Sequence, residues 1–447
     1  MHKPTAKVSP ARRLAFLAIK EIEEEQGYSD RVLSSLLADA TLSGADRNLA
    51  HEIVKGTVRW KLLLDWIVCS RLKKPAKLES SARTILWMAF YQLRFLQRIP
   101  RFAVVDESVE LAKEFAGPHL VGLVNGLLRN YLRHPEDVVF PDRQKSFDLA
   151  LSIEQSHPLW LVQRWIHEFG AEKTEQLCKA NNVPADLAIR RNPLKSDADS
   201  FAALLTGEGL RWRPSDVPDF HFVERLVPKD SSLFQAGYFT VQDPSAGLVG
   251  HLAAPSPAAT FLDLCAAPGG KATHLAEKMG GRGRVVAGDL YLVRLQQMRN
   301  NCERLGLTNI HLVQSAADAF PVQQADGVLL DAPCSGLGVL RKKPDIRWRR
   351  TQESIVELTR LQEILLAGAS ERVKPGGWLV YSTCTVEYQE NEEIIRNFLA
   401  CHTDFSLVHS AQFVDERYVT SDGFVRTWPD LHGLDGSFAA KLERKKS

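Results

Sequence analysis

The chain has 447 residues, 45% hydrophobic and 25% charged, which is globular composition with enough length for two or more buried cores. It excludes a disordered, collagen-like or disulfide-framework protein. The net charge of +2 hides an asymmetry, because residues 1–140 carry 21 Lys and Arg against 16 Asp and Glu.

From Arg12 to Leu132 apolar residues recur at helical spacing, as in Leu14, Leu17, Ala18 and Ile22, or Val121, Val124, Leu128 and Leu132. This predicts an all-α bundle over residues 1–140, with Asp46 capping a helix over 47–60. Within it Arg71, Lys73, Lys74, Lys77, Arg83, Arg94, Arg98 and Arg101 face only Glu79, a patch suited to a polyanion or to a solvated helix surface. Residues 141–240 open with a Pro-containing linker and a Trp-rich helix. They continue through short β-like pieces, Leu187–Arg190 and Phe220–Leu226, and predict a small α+β module.

Residues 241–447 begin with Asp243 and Pro244, an N-cap followed by proline at the first helical position. Apolar runs at Thr260–Cys265, Arg284–Gly288, Ile310–Gln314, Gly327–Leu330 and Trp378–Ser382 then alternate with helical segments. That alternation predicts a doubly wound α/β domain of Rossmann-like type with a mostly parallel sheet. The seven cysteines show no CxxC pair and no zinc-type spacing, so free thiols in a reducing cytosol, and no metal, are expected. No apolar run suits a signal peptide or a membrane span, and a cytoplasmic monomer with no membrane partner is expected.

The first strand of that domain ends in Cys265-Ala266-Ala267-Pro268-Gly269-Gly270-Lys271, whose small residues let a cofactor approach backbone at a helix N-terminus. Asp289 closes the second strand, where a carboxylate can accept from ribose hydroxyls. GxGxxG is absent, and Cys265 and Ala272 break the phosphate-loop pattern. A nucleoside cofactor without polyphosphate fits better, and S-adenosyl-L-methionine leads. Asp318 can accept from an adenine amino group, and Asp331 can meet either the methionine amino group or a substrate base.

Two cysteines follow strand-like runs, Cys334 in Asp331-Ala332-Pro333-Cys334-Ser335-Gly336 and Cys384 in Ser382-Thr383-Cys384-Thr385. Residues past the carboxyl ends of such strands line one crevice, so both thiols can face one substrate. A thiolate that adds to C6 of a cytosine makes C5 nucleophilic toward a sulfonium methyl, after which a base must remove the C5 proton. Elsewhere a free cysteine is usually a small apolar packer, the reading kept for Cys69, Cys178, Cys302 and Cys401. The basic run Arg341, Lys342, Lys343, Arg347, Arg349 and Arg350 is expected to hold phosphates of a nucleic acid.

The stretches LDLCAAPGGKATHLAE, VLLDAPCSGLGVLRKKPDIRW and LVYSTCTVEYQENE resemble the motifs of the RNA cytosine-C5 methyltransferases of the NOL1/NOP2/Sun family. The N-terminal bundle is similar to NusB. The resemblance implies Cys384 as nucleophile, Cys334 as promoter of product release, and S-adenosyl-L-methionine held by Cys265 to Lys271, Asp289, Asp318 and Asp331. It also implies 16S ribosomal RNA as substrate, with cytosine 967 as acceptor. Two departures bear on loop packing: Leu337 where a threonine is common, and Asp435-Gly436-Ser437-Phe438 where DGFF is usual.

Overall fold

The structure, a computed structural model, describes residues 8–25 and 27–446. It divides into two compact units. One comprises the chain up to Asn182 together with Lys343–Arg349, and the other comprises Val183–Lys342 with Arg350 onward.

In the first unit, helices Pro10–Glu24, Ser29–Asp39, Gly44–Arg59, Lys61–Ser70, Ser80–Phe95, Arg101–Phe115 and Pro118–Arg133 bury Phe16, Ile53, Leu86, Phe90 and Leu128 in one core. The expected cap at Asp46 is corrected to Ser43, whose Oγ accepts from the Asp46 amide at 3.1 Å. Gly44 and Ala45 fit a helical turn, so the helix starts earlier and the Asp46 carboxylate sits in its first turn, where the dipole favours it. Of the eight cations between Arg71 and Arg101, Arg83 pairs with Asp65 and Arg71 donates to Asn130 and His134. Lys73, Lys74, Lys77, Arg94, Arg98 and Arg101 remain exposed.

Helices Phe147–Glu154, Leu159–Phe169 and Ala171–Asn181 complete this unit together with the inserted heptapeptide 343–349. Arg347 there is fully buried, donating to the Ser156 carbonyl and to Asn182 Oδ1, both at 3.0 Å. Trp348 Nε1 donates to the Val58 carbonyl at 2.7 Å, and Ser29 Oγ donates to Asp345 at 2.5 Å. The phosphate-holding role expected of the run 341–350 is therefore corrected. Arg349 donates to the Gly27 carbonyl, Arg341 to the Val183 and Gly433 carbonyls, and Arg350 to the Ser335 carbonyl, while Lys342 pairs with Asp243 and Asp435. Lys343 alone of the six is exposed. A guanidinium carries five donors and serves buried carbonyls as readily as phosphates, and charge density in a sequence does not report which.

The second unit holds two sheets. Strands β1 (Leu187–Arg191), β2 (Trp212–Pro214), β3 (Phe220–Val223) and β4 (Phe239–Val241) form an antiparallel sheet in the order β2-β3-β1-β4. The larger sheet contains β5 (Thr260–Asp263), β6 (Arg284–Asp289), β7 (Ile310–Gln314), β8 (Ala325–Asp331), β9 (Val373–Thr383), β10 (Phe405–Val408), β11 (Val425–Thr427) and β12 (Ser437–Arg444). Its order is β10-β12-β9-β8-β5-β6-β7, with β5 to β9 parallel, β12 antiparallel to its neighbours, and β11 paired to β12. Phe261, Leu262, Leu329 and Val380 are buried within it by the helices that cover the sheet. The expected fold class, a helical bundle, a small α+β element and a Rossmann-like sheet, is the fold observed. Strand β5 is flanked by β6 on one side and β8 on the other, so the order reverses there, and a ligand crevice opens at the carboxyl ends of such strands.

Arg190 of β1 ties the smaller sheet to the helix Gly270–Lys278. Fully buried, it makes a two-bond contact with Glu277, at 3.0 Å for each bond, and donates to the Gly270 carbonyl at 2.9 Å and to Gln242. Removing one partner of a buried pair strands the other charge, so Arg190→Met should cost about 3–5 kcal/mol in urea unfolding. A loss under about 1 kcal/mol would mean that Glu277 finds another donor.

Candidate active site

The reversal point collects most of the residues singled out in the sequence. The loop after β5 turns through Gly269, with φ of 102°, into the helix Gly270–Lys278. A Cβ on Gly269 would come within 2.7 Å of Met298 Cγ, and its φ lies in the left-handed region, so glycine is favoured there. The Ala266 amide donates to the Gly288 carbonyl at 2.8 Å, joining this loop to the end of β6. Asp289 is buried there with Oδ1 accepting from the Tyr291 amide at 2.9 Å. Asp318, after β7, is exposed. Cys265 packs against the core, and burial, then Asp263, pushes its thiol up to about 12.

Lys271 and Asp331, named separately from the sequence, are one ion pair with Nζ to Oδ2 at 2.6 Å. Ser382 Oγ donates to Asp331 Oδ1 at 2.8 Å. Burial opposes the Lys271 charge, but Asp331 more than offsets it, so the pKa lies above that of an ordinary lysine, with Cys384 adding to the rise. The Lys271 ammonium is thus within electrostatic reach of the Cys384 sulfur.

The two thiols meet. Cys334 Sγ and Cys384 Sγ are 3.4 Å apart, and the Cys384 amide also points at Cys334 Sγ at 3.4 Å. All seven cysteines are free. The Cys384 contact, then burial, holds the Cys334 thiol well above its ordinary value, so it is a thiol at neutral pH. Of the cysteines assigned to packing, Cys178 and Cys302 are buried, Cys69 is half-buried, and Cys401 is exposed, a correction for the last, which ends a helix. Both departures from the motifs settle into packing. Leu337 is fully buried, and Gly436 lies so close to Gly338 that a Cβ on Gly338 would overlap the Gly436 carbonyl. The Gly338 amide donates to the Cys384 carbonyl at 3.0 Å, so the two thiol-bearing loops and the 435–438 phrase are stitched by backbone.

Sequence reasoning missed Asp263. It ends β5 fully buried, and neither carboxyl oxygen meets a donor in hydrogen-bond geometry. Burial, then the nearby Asp331, pushes it up to about 8. The available signal was a carboxylate inside the apolar run Phe261-Leu262-Asp263-Leu264. Its pH consequence has a definite sign. Between about pH 4 and 8 the folded chain keeps a proton that the unfolded chain has released, so stability falls as pH rises. Asp263→Asn abolishes that slope, and urea unfolding should show the variant gaining on the wild type between pH 5 and 8, by a few kcal/mol in order of magnitude. Parallel curves would refute this.

These residues fit an S-adenosyl-type cofactor: a glycine cradle at a helix N-terminus, a carboxylate closing β6, and a buried carboxyl without a partner. Among the described residues no group of His, Cys, Asp and Glu is arranged to hold a metal ion, and no helix is long and apolar enough to cross a membrane.

Known proteins supply the context. The family described as 16S rRNA methyltransferase RsmB/F matches residues 251–443, the NusB family matches 9–133, and a ferredoxin-like domain of RsmF/B-like methyltransferases matches 157–220. The probable ribosomal RNA small subunit methyltransferase B of Bacillus subtilis (strain 168) is 34% identical over 98% of this chain and 100% of its own. Its counterpart in Synechocystis is 38% identical over 97% of this chain and 99% of its own. The crystal structure of PH0851 covers 98% of this chain and 100% of its own with a TM-score of 0.80 at 26% identity. The chain therefore belongs to the ribosomal RNA small subunit methyltransferases of the RsmB/F family.

Proposed function

We propose that this enzyme transfers a methyl group from S-adenosyl-L-methionine to C5 of cytosine 967 in 16S ribosomal RNA through a covalent thioether at C6. The observation that carries the reading is the pair of sulfurs 3.4 Å apart at adjoining strand ends, beside the Lys271–Asp331 pair. The cofactor, when bound, supplies an electrophilic methyl on a sulfonium. The loop from Cys265 through Ala266, Ala267, Pro268, Gly269 and Gly270 to Lys271 offers backbone to it, Asp289 the ribose acceptor, Asp318 an acceptor for adenine, and Asp331 a polar edge shared with the substrate base.

Cys384, with the Lys271 ammonium favouring its thiolate, adds to C6 and converts the C5–C6 double bond into a nucleophilic C5. Once C5 carries the methyl, its remaining proton must leave so that the double bond re-forms and the C6–S bond breaks. Cys334, at contact distance from that sulfur, is placed to promote this release. The exposed cations of the helical unit hold RNA phosphates, and a target in a loop or single strand is the least costly to turn out of its stack. The proposed enzyme is a cytoplasmic monomer.

Bisulfite sequencing of ribosomal RNA from a strain lacking this protein tests the reading. One 5-methylcytosine, at position 967 of 16S RNA, should disappear and return with the gene. An unchanged methylcytosine pattern would overturn it.

A further inference from the structure

Each cysteine is gripped on both flanks, and the grips come from two successive residues. Glu390 Oε1 accepts from the Ser335 amide at 2.7 Å and from Gln362 Nε2 at 2.9 Å, and Gln362 Nε2 also donates to the Pro333 carbonyl at 2.9 Å. Pro333 and Ser335 bracket Cys334. Asn391 Oδ1 accepts from Thr383 Oγ1 at 2.5 Å, and its Nδ2 donates to the Thr385 carbonyl at 3.0 Å. Thr383 and Thr385 bracket Cys384. Both gripping residues are fully buried, and the dipeptide is itself pinned by the Tyr381 hydroxyl, which donates to the Glu390 carbonyl at 2.7 Å.

From this geometry we infer that Glu390 and Asn391 are positioning residues that set the separation of the two sulfurs, Glu390 serving the release step through Cys334 and Asn391 the attack step through Cys384. The inference rests on the mechanism proposed above. Glu390 grips as a hydrogen-bond acceptor. Its Oε1 takes both hydrogen bonds, whereas Oε2 is buried without a partner. A glutamine carbonyl reproduces Oε1 and its amide fills the place of Oε2, so the isostere keeps the grip. Alanine loses it, and a displacement on the order of 1 Å at a reacting group costs about 100-fold in rate.

The test uses the full chain, a 16S RNA transcript and labelled S-adenosylmethionine, reading kcat, both KM values and the protein–RNA adduct on denaturing gels. E390A and N391A should each lose about 100-fold in kcat with KM values within about 3-fold of wild type. E390A should accumulate adduct during turnover and N391A should not, while E390Q recovers most of the activity lost in E390A. The inference is overturned if E390Q is as impaired as E390A. It is equally overturned if both alanine variants lose cofactor affinity in parallel with rate and show the same adduct level, as general loosening would produce. A wild-type chain that forms no methylcytosine on this RNA would instead sink the underlying mechanism.

Discussion

Cys384→Ala is expected to lower methyl transfer at saturating RNA by at least about 10³-fold, with RNA affinity retained. Without thiolate addition C5 stays within the aromatic ring, and no electrophile of sulfonium strength alkylates it at a useful rate. The one neighbour able to substitute is Cys334, 3.4 Å away in the wild type, and although the variant loses the Cys384 contact, burial still disfavours the Cys334 thiolate. Steady-state incorporation of labelled methyl into a 16S transcript measures the effect. Turnover above about a tenth of wild type, combined with a dead Cys334→Ala variant, would reverse the roles of the two sulfurs.

Cys334→Ala should fail differently. Attack and methyl transfer proceed, but the step that follows loses its promoter: once Cys384 is bonded to C6 the contact that held the Cys334 thiol up is gone, and without Cys334 removal of the C5 proton slows by about 10²- to 10⁴-fold. The enzyme then stalls while joined to RNA through Cys384, and a slow-migrating species should appear on denaturing gels. That species must vanish in the Cys384→Ala/Cys334→Ala double variant. If Cys334→Ala turned over normally, or formed an adduct that survived loss of Cys384, the division of labour would be wrong.

The parts of the site legible in the sequence share a cause. Asp289, Asp331, Cys334 and Cys384 each stand at or just beyond the end of an apolar run, and Gly269 and Gly270 mark a turn, so strand ends could be found without knowing the fold. Strand β12 is not legible in the sequence, because Ser437–Arg444 reads SFAAKLER, made largely of helix-favouring residues. It is a strand because β9 and β10 pair it from both sides. The gripping role of Glu390 and Asn391 was equally hidden, since their partners lie 28 to 55 residues away for Glu390 and 6 to 8 for Asn391 and nothing local marks them as acceptor and clamp. The run from Arg341 to Arg350 shows the converse failure, in which conspicuous charge turned out to be internal wiring.

The heptapeptide 343–349, with Arg347 and Trp348 embedded among the helices, also sets an order of events during synthesis. The amino-terminal unit cannot finish its core when Asn182 leaves the ribosome, because its last piece is encoded about 160 residues downstream. At 5–20 residues per second that is a wait of roughly 10–30 s with the seat for Arg347 unfilled. Cutting the gene between the two units would therefore leave the helical part permanently incomplete.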